Sequence, residues 1–187
     1  LAWSLGHSGH RTIFVDADEQ QSAALLALNS QGVCSWPNVT FRRQADTLDE
    51  PIDADVVIVD PPALTAESAA KVLQRVHGVI LTSLADPMSI RTVPAAAAVI
   101  EQTKSINPRL ELLGLLICMY RPEDPVQSAM LVRLHQAHRD LLLDPVIPFQ
   151  ASWRDWALQP GTPPVDGPAR AAVMTFSQHL APILASV

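Results

Sequence analysis

Residues 9–23, GHRTIFVDADEQQSA, decide how the chain is read. Thr12–Val15 is a short run of β-branched and apolar side chains that ends on two aspartates, Asp16 and Asp18. A strand with one wet face alternates polar and apolar residues. This one does not alternate, as expected of a strand buried on both faces in a parallel sheet covered by helices. Working outward, Val56–Val59, Val79–Thr82 and Leu112–Met119 have the same character, and Val146–Ile147 reads as the start of a fifth strand.

Helical spacing fills the intervals: Gln21–Asn29, Glu67–Val76, Val93–Lys104 with Pro94 in its first turn, Val126–Leu142, and Pro168–Val187. Trp3–His10 reads as the end of a helix stopped at Gly6 or Gly9, and Pro160–Pro168 as a surface loop. Strands alternating with helices predict an α/β fold, a mostly parallel, doubly wound sheet with helices on both faces.

Composition narrows the class. A chain of 187 residues, 48% hydrophobic and 17% charged, has the makings of one globular domain with a real core. Cys34 and Cys118 match no zinc or redox spacing, and Cys118 reads as a reduced core residue in a cytoplasmic protein. No apolar run reaches the ~18 residues of a membrane span. The net charge of −6, with lysine only at Lys71 and Lys104, argues against a general nucleic-acid surface, although the arginines remain available for a local patch.

In an open parallel sheet, ligands bind beyond the carboxyl ends of the strands. Following each strand out gives Asp16 and Asp18, then Asp60-Pro61-Pro62, then Ser83 to Pro87, Tyr120-Arg121 and Pro148. Three carboxylates on one rim suit Mg²⁺, which takes few protein ligands and keeps waters. A carboxylate there can also position an attacking water. Aspartates at strand ends serve equally as plain turn residues. His135 and His138, three apart on a predicted helix, read as a solvated face, Trp153 and Trp156 as core or dimer packing, and Arg42 and Arg43 as surface.

The order of motifs resembles the ParA/MinD family of P-loop ATPases. GHRTIFVDADEQQSA is similar to the family's V-D-x-D-P-Q strand, and ADVVIVDPPAL (54–64) to its Walker B and switch segment. GVILTSLADPMSIRTV (78–93), LLGLLICMYRP (112–122), DPVIP (144–148), WRDWALQPGTPPVDGP (153–168) and the helix after it follow in the family's order. The resemblance covers essentially the whole chain as one nucleotide-binding domain. It implies that Asp16 belongs to the Mg²⁺ network, that Asp18 orients the hydrolytic water, that Asp60 is the Walker B metal carboxylate, and that Pro148 lies near the adenine. Arg91 matches a recurrent arginine to which no role is assigned.

Glu19 stands where the family has proline, and Asp60-Pro61-Pro62 is one residue shorter than D-x-P-P. No G-K-G-G-x-G-K-T loop occurs, and the chain opens at Leu1 in mid-pattern. The expectation is therefore a chain lacking its first strand and phosphate loop, unable to bind ATP unaided. The complete protein is expected to be a MgATP-dependent ATPase in plasmid or chromosome partitioning or cargo positioning. It would cycle through an ATP-dependent homodimer, with non-specific DNA and a partition or activator protein as partners and no membrane. The alternatives are a phospho-accepting receiver domain, whose layout Asp16, Asp18, Asp60 and the Thr82/Ser83 strand end imitate, and a ParA-like scaffold without catalysis.

Overall fold

Thr12–Asp16 forms β1, and all five of its residues are buried. It is the middle strand of a parallel three-stranded sheet, flanked by β2 (Val39–Arg43) and β3 (Val56–Asp60). This computed structural model describes residues 1–18, 22–29, 31–43, 52–62, 67–156, 163–164 and 166–184. Glu19, Gln21, residues 160–162 and 165 of the proline-rich stretch, and the last three residues lie outside that set. The chain divides into two compact units, Leu1–Val72 with Ala151–Val187, and Leu73–Gln150.

The first unit also holds α1 (Ala2–His7), α2 (Ser22–Ala27), α7 (Ala151–Trp156) and α8 (Pro168–Leu184). Its core is aromatic. Phe14 stacks on Trp36 at 5.9 Å and meets Phe41 edge-on at 5.5 Å, while Trp156 of α7 lies 6.1 Å from Trp36. Trp156 is therefore a core-packing residue, which ties α7 to this unit. Arg170 of α8 sits over the Trp3 ring at 4.2 Å. Gly6 lets α1 approach the chain before β2, because a Cβ there would lie 2.2 Å from Pro37 O.

β2 escapes the sequence reading although Val39 and Phe41 alternate with Thr40 and Arg42. Its polar positions and closing arginines suit an edge strand, and Val39 and Phe41 supply the inward face. At the opposite end of the sheet, Arg11 clamps the entry to β3, its guanidinium and backbone N–H both donating to Asp55.

The second unit is built on β4 (Gly78–Ser83), β5 (Glu111–Ile117) and β6 (Leu142–Leu143), all parallel in the order β4-β5-β6. Around them run α4 (Pro87–Ile90), α5 (Val93–Thr103) and α6 (Pro125–Ala137), while α3 (Glu67–Leu73) ends where this unit begins. Asp86-Pro87 and Asp124-Pro125 start two of the helices by one device. Each aspartate accepts two backbone N–H groups of the first turn, and the proline occupies a position whose N–H would be orphaned anyway. Ile100, Leu115 and Ile117 form the buried centre. On α6 Leu134 is buried and Met130 and Leu131 are half-buried, while Val126 and Val132 are exposed.

Val146–Ile147 is not a strand; the last ladder forms earlier, where Leu142 and Leu143 pair with Leu115 and Leu116. Ile147 N still donates to Ile117 O, but Pro145 and Pro148 have no N–H to continue a ladder. β5 also stops at Ile117, before Cys118 and Met119. Among the described residues, β3 and β4 are each an edge strand of their sheet. No helix among them is long and apolar enough to cross a membrane.

Candidate functional site

The carboxylates predicted from sequence come together at the carboxyl ends of β1 and β3. Asp16 and Asp60 are register partners across the parallel ladder, and Ala17 N donates to Asp60 O at 2.9 Å, so the pairing continues one step past the strand. Asp18 lies beyond β1 in a bend, not in extended chain. The two-residue spacing of extended backbone therefore does not orient it. A turn does, with Asp18 N donating to Asp16 Oδ1 at 3.3 Å.

The three acids differ in environment. Asp16 is 1% exposed and also accepts from Ala24 N at 3.0 Å, while Asp18 is half-buried and Asp60 is exposed. Partial burial at the strand end, and then the negative charges of Asp16 and Asp18, push the Asp60 carboxyl above its ordinary value. The two neighbouring charges add to the effect of burial, and a cation bound there would oppose it.

Among the described residues, no group of three or more His, Cys, Asp or Glu side chains is placed to hold a metal ion. A Mg²⁺ that takes one or two carboxylates and completes its shell with water would need no such group. His135 and His138 are both exposed, as a solvated face requires.

The second unit has its own rim. Thr82, Ser83, Ser89, Thr92, Cys118 and Met119 contribute to a pocket of about 500 Å³ at the ends of β4 and β5. Cys118 is thus half-buried at a pocket wall, not sealed in the core, and burial pushes its thiol up to about 11. Met119 adopts φ +54, a left-handed conformation that costs a residue with a Cβ about a kcal/mol. Tyr120 bridges to Pro148, and Arg121 lies 3.8 Å over the Phe149 ring. Pro148 is therefore beside the end of β5, as its place in the motif order suggests. Neither Phe149 nor Met119 was legible as a rim residue, since only the pairing with Tyr120 and the backbone turn bring them there.

No protein-family model and no curated protein matches the sequence. Solved structures do. MinD cell division protein from Aquifex aeolicus matches 95% of this chain and 86% of its own, at TM-score 0.69 and 15% identity. A putative plasmid partition protein from Borrelia burgdorferi B31, solved with AMPPNP, matches 100% and 90%, at TM-score 0.71 and 12% identity. Cobyrinic acid a,c-diamide synthase from Mycobacterium smegmatis, solved with an ATP analogue and magnesium, matches 96% and 85%, at TM-score 0.68 and 21% identity. Identities this low speak to the fold and leave the chemistry to the site.

Proposed function

From a chain that carries the fold of the ParA/MinD-type P-loop ATPases, we propose that residues 1–187 are the bulk of one nucleotide-binding domain of a MgATP-dependent ATPase of the ParA type, acting in partitioning or cargo positioning. The observation that carries this reading is the in-register pair Asp16 and Asp60, with Asp18 tethered beside them, at the strand ends where open α/β sheets hold ligands.

In this reading Asp60 is the carboxylate offered to Mg²⁺, with Asp16 behind it in the same network. Mg²⁺, when bound, neutralises charge on the phosphate oxygens. Asp18 accepts a hydrogen bond from the hydrolytic water and orients it toward the phosphorus. An ATP-dependent homodimer, non-specific DNA and an activating protein complete the proposal. MinD has been solved in complex with MinC, which supports a protein partner for this chain.

The synthase among the structural neighbours, at the higher identity, favours one second reading, in which ATP is used to make a product. Phosphate release from ATP with no second substrate separates the two.

No G-x-x-x-x-G-K-[ST] loop occurs in residues 1–187, so nothing in them supplies the amide nest and lysine that cradle a triphosphate. By calorimetry, residues 1–187 alone should show no MgATP binding. A chain extended at its N-terminus by a strand, a glycine-rich loop and a helix start, roughly 25 residues, should bind MgATP and hydrolyse it. Tight MgATP binding by residues 1–187 alone would put the phosphate site elsewhere and overturn the reading.

A further inference from the structure

The carboxylate of Asp16 is held on both oxygens. Its Oδ1 accepts from Asp18 N at 3.3 Å and its Oδ2 from Ala24 N at 3.0 Å, and the residue is 1% exposed. Asp18 lies just past β1 and Ala24 lies in α2. Ala24 is the third residue of α2, and its N–H is one of the four that a helix leaves without an internal partner. Asp16 therefore does for α2 what an N-cap side chain does, but from the end of the preceding strand. Ionised acceptors on backbone N–H make some of the stronger hydrogen bonds.

The same carboxylate accepts from the amide of Asp18 and so constrains the Asp18 backbone just past β1. Asp60 contrasts with it. It stands opposite Asp16 in the ladder but is exposed. Mg²⁺ sheds its waters reluctantly, and a carboxylate that is 1% exposed and already turned onto two amides leaves a hydrated ion little access.

We propose that Asp16 is a positioning residue, a latch between β1 and α2 that fixes Asp18 at the rim, and that it is not a ligand of the cation. The identity of the cation rests on the ATPase reading above, whereas the latch does not.

The test uses the 187-residue chain and four proteins: the parent, Asp16→Asn, Asp16→Ala and Asp60→Asn. Mn²⁺ titration followed by electron paramagnetic resonance reads the cation, and amide hydrogen exchange by NMR reads the latch. Asp60→Asn should weaken Mn²⁺ binding at least tenfold, and Asp16→Asn by no more than about threefold. Asp16→Ala should speed exchange at Ala24 and Asp18 at least tenfold, with the Val15 amide in β1 protected as the folded control.

Asn keeps one acceptor oxygen, so Asp16→Asn should restore protection at Ala24 and not at Asp18. Should Asp16→Ala fail to protect Val15, the Asn variant decides alone: loss at Asp18 supports the latch, and parental exchange at both amides overturns it. An Asp16→Asn variant that loses Mn²⁺ as fully as Asp60→Asn also overturns the proposal. A parent that binds no Mn²⁺ sinks the metal reading, and the exchange data then decide the latch by themselves.

Discussion

Asp16 and Asp60 face each other in register at the carboxyl ends of adjacent parallel strands, one 1% exposed and hydrogen-bonded on both oxygens, the other open to solvent. Two identical side chains at equivalent ladder positions thus have different surroundings. The buried one accepts from the amides of Asp18 and Ala24, and the exposed one stands at the strand end.

Asp18 is expected to be catalytic. If the proposed ATPase reading holds, Asp18→Ala in the active enzyme should retain ATP binding within a few-fold while turnover falls about 100-fold or more, as for loss of a group needed only in the transition state. The ATP-bound dimer should accumulate, visible by size-exclusion chromatography with light scattering. Parental turnover in this variant would remove Asp18 from the mechanism.

Asp60 should destabilise the fold at neutral pH. Its carboxyl is raised above the ordinary value by partial burial and by Asp16 and Asp18, so the folded state holds that proton more tightly than the unfolded state does. The associated stability is present below the ordinary carboxylate pKa and is lost as pH rises through the raised value. Asp60→Asn should therefore be more stable than the parent at pH 7, with the advantage gone in acid below the ordinary carboxylate range. Urea unfolding at several pH values measures this, and an advantage independent of pH would contradict it.

Asn107 should be a strong stability determinant of the second unit. Its buried side-chain amide donates to Leu73 O at 3.0 Å and Val76 O at 2.7 Å, tying the end of α3 to the turn before β5. Asn107→Ala leaves both carbonyls short of a donor and should cost about 1–3 kcal/mol in chemical denaturation. A change under about 0.5 kcal/mol would mean that water takes the place of the amide.

DNA binding, if the protein is a partition ATPase, must come from arginines on a nearly neutral surface. Residues 73–150 balance seven Lys/Arg against seven Asp/Glu, so the whole net charge of −6 falls on the unit that bears the carboxylates. The ATP-bound dimer should bind DNA without sequence preference and weaken steeply with salt. Substituting Arg133 and Arg139, both exposed, should lower the salt slope by about one for each arginine that pairs with a phosphate. No ATP-dependent retention on DNA at low salt would move the proposal toward cargo positioning without DNA.

The local signals in this chain were strong where a run is apolar throughout. β1, β3, β4 and most of β5 are apolar on both faces, so their presence and direction follow from the sequence, as does the rim that gathers Asp16, Asp18 and Asp60. Asp-Pro starts and alanine-rich runs likewise mark the helices. β2 and β6 needed the fold, because an edge strand and a two-residue strand are defined by the neighbours they pair with and not by their own composition. The same holds for the division of labour on the rim. In sequence, Asp16 and Asp18 are two alike aspartates after a strand. Only tertiary structure decides that one is turned inward onto the amides of Asp18 and Ala24 while Asp60 stays in water, because burial and hydrogen-bond partners are set by what packs around a side chain, not by its spacing.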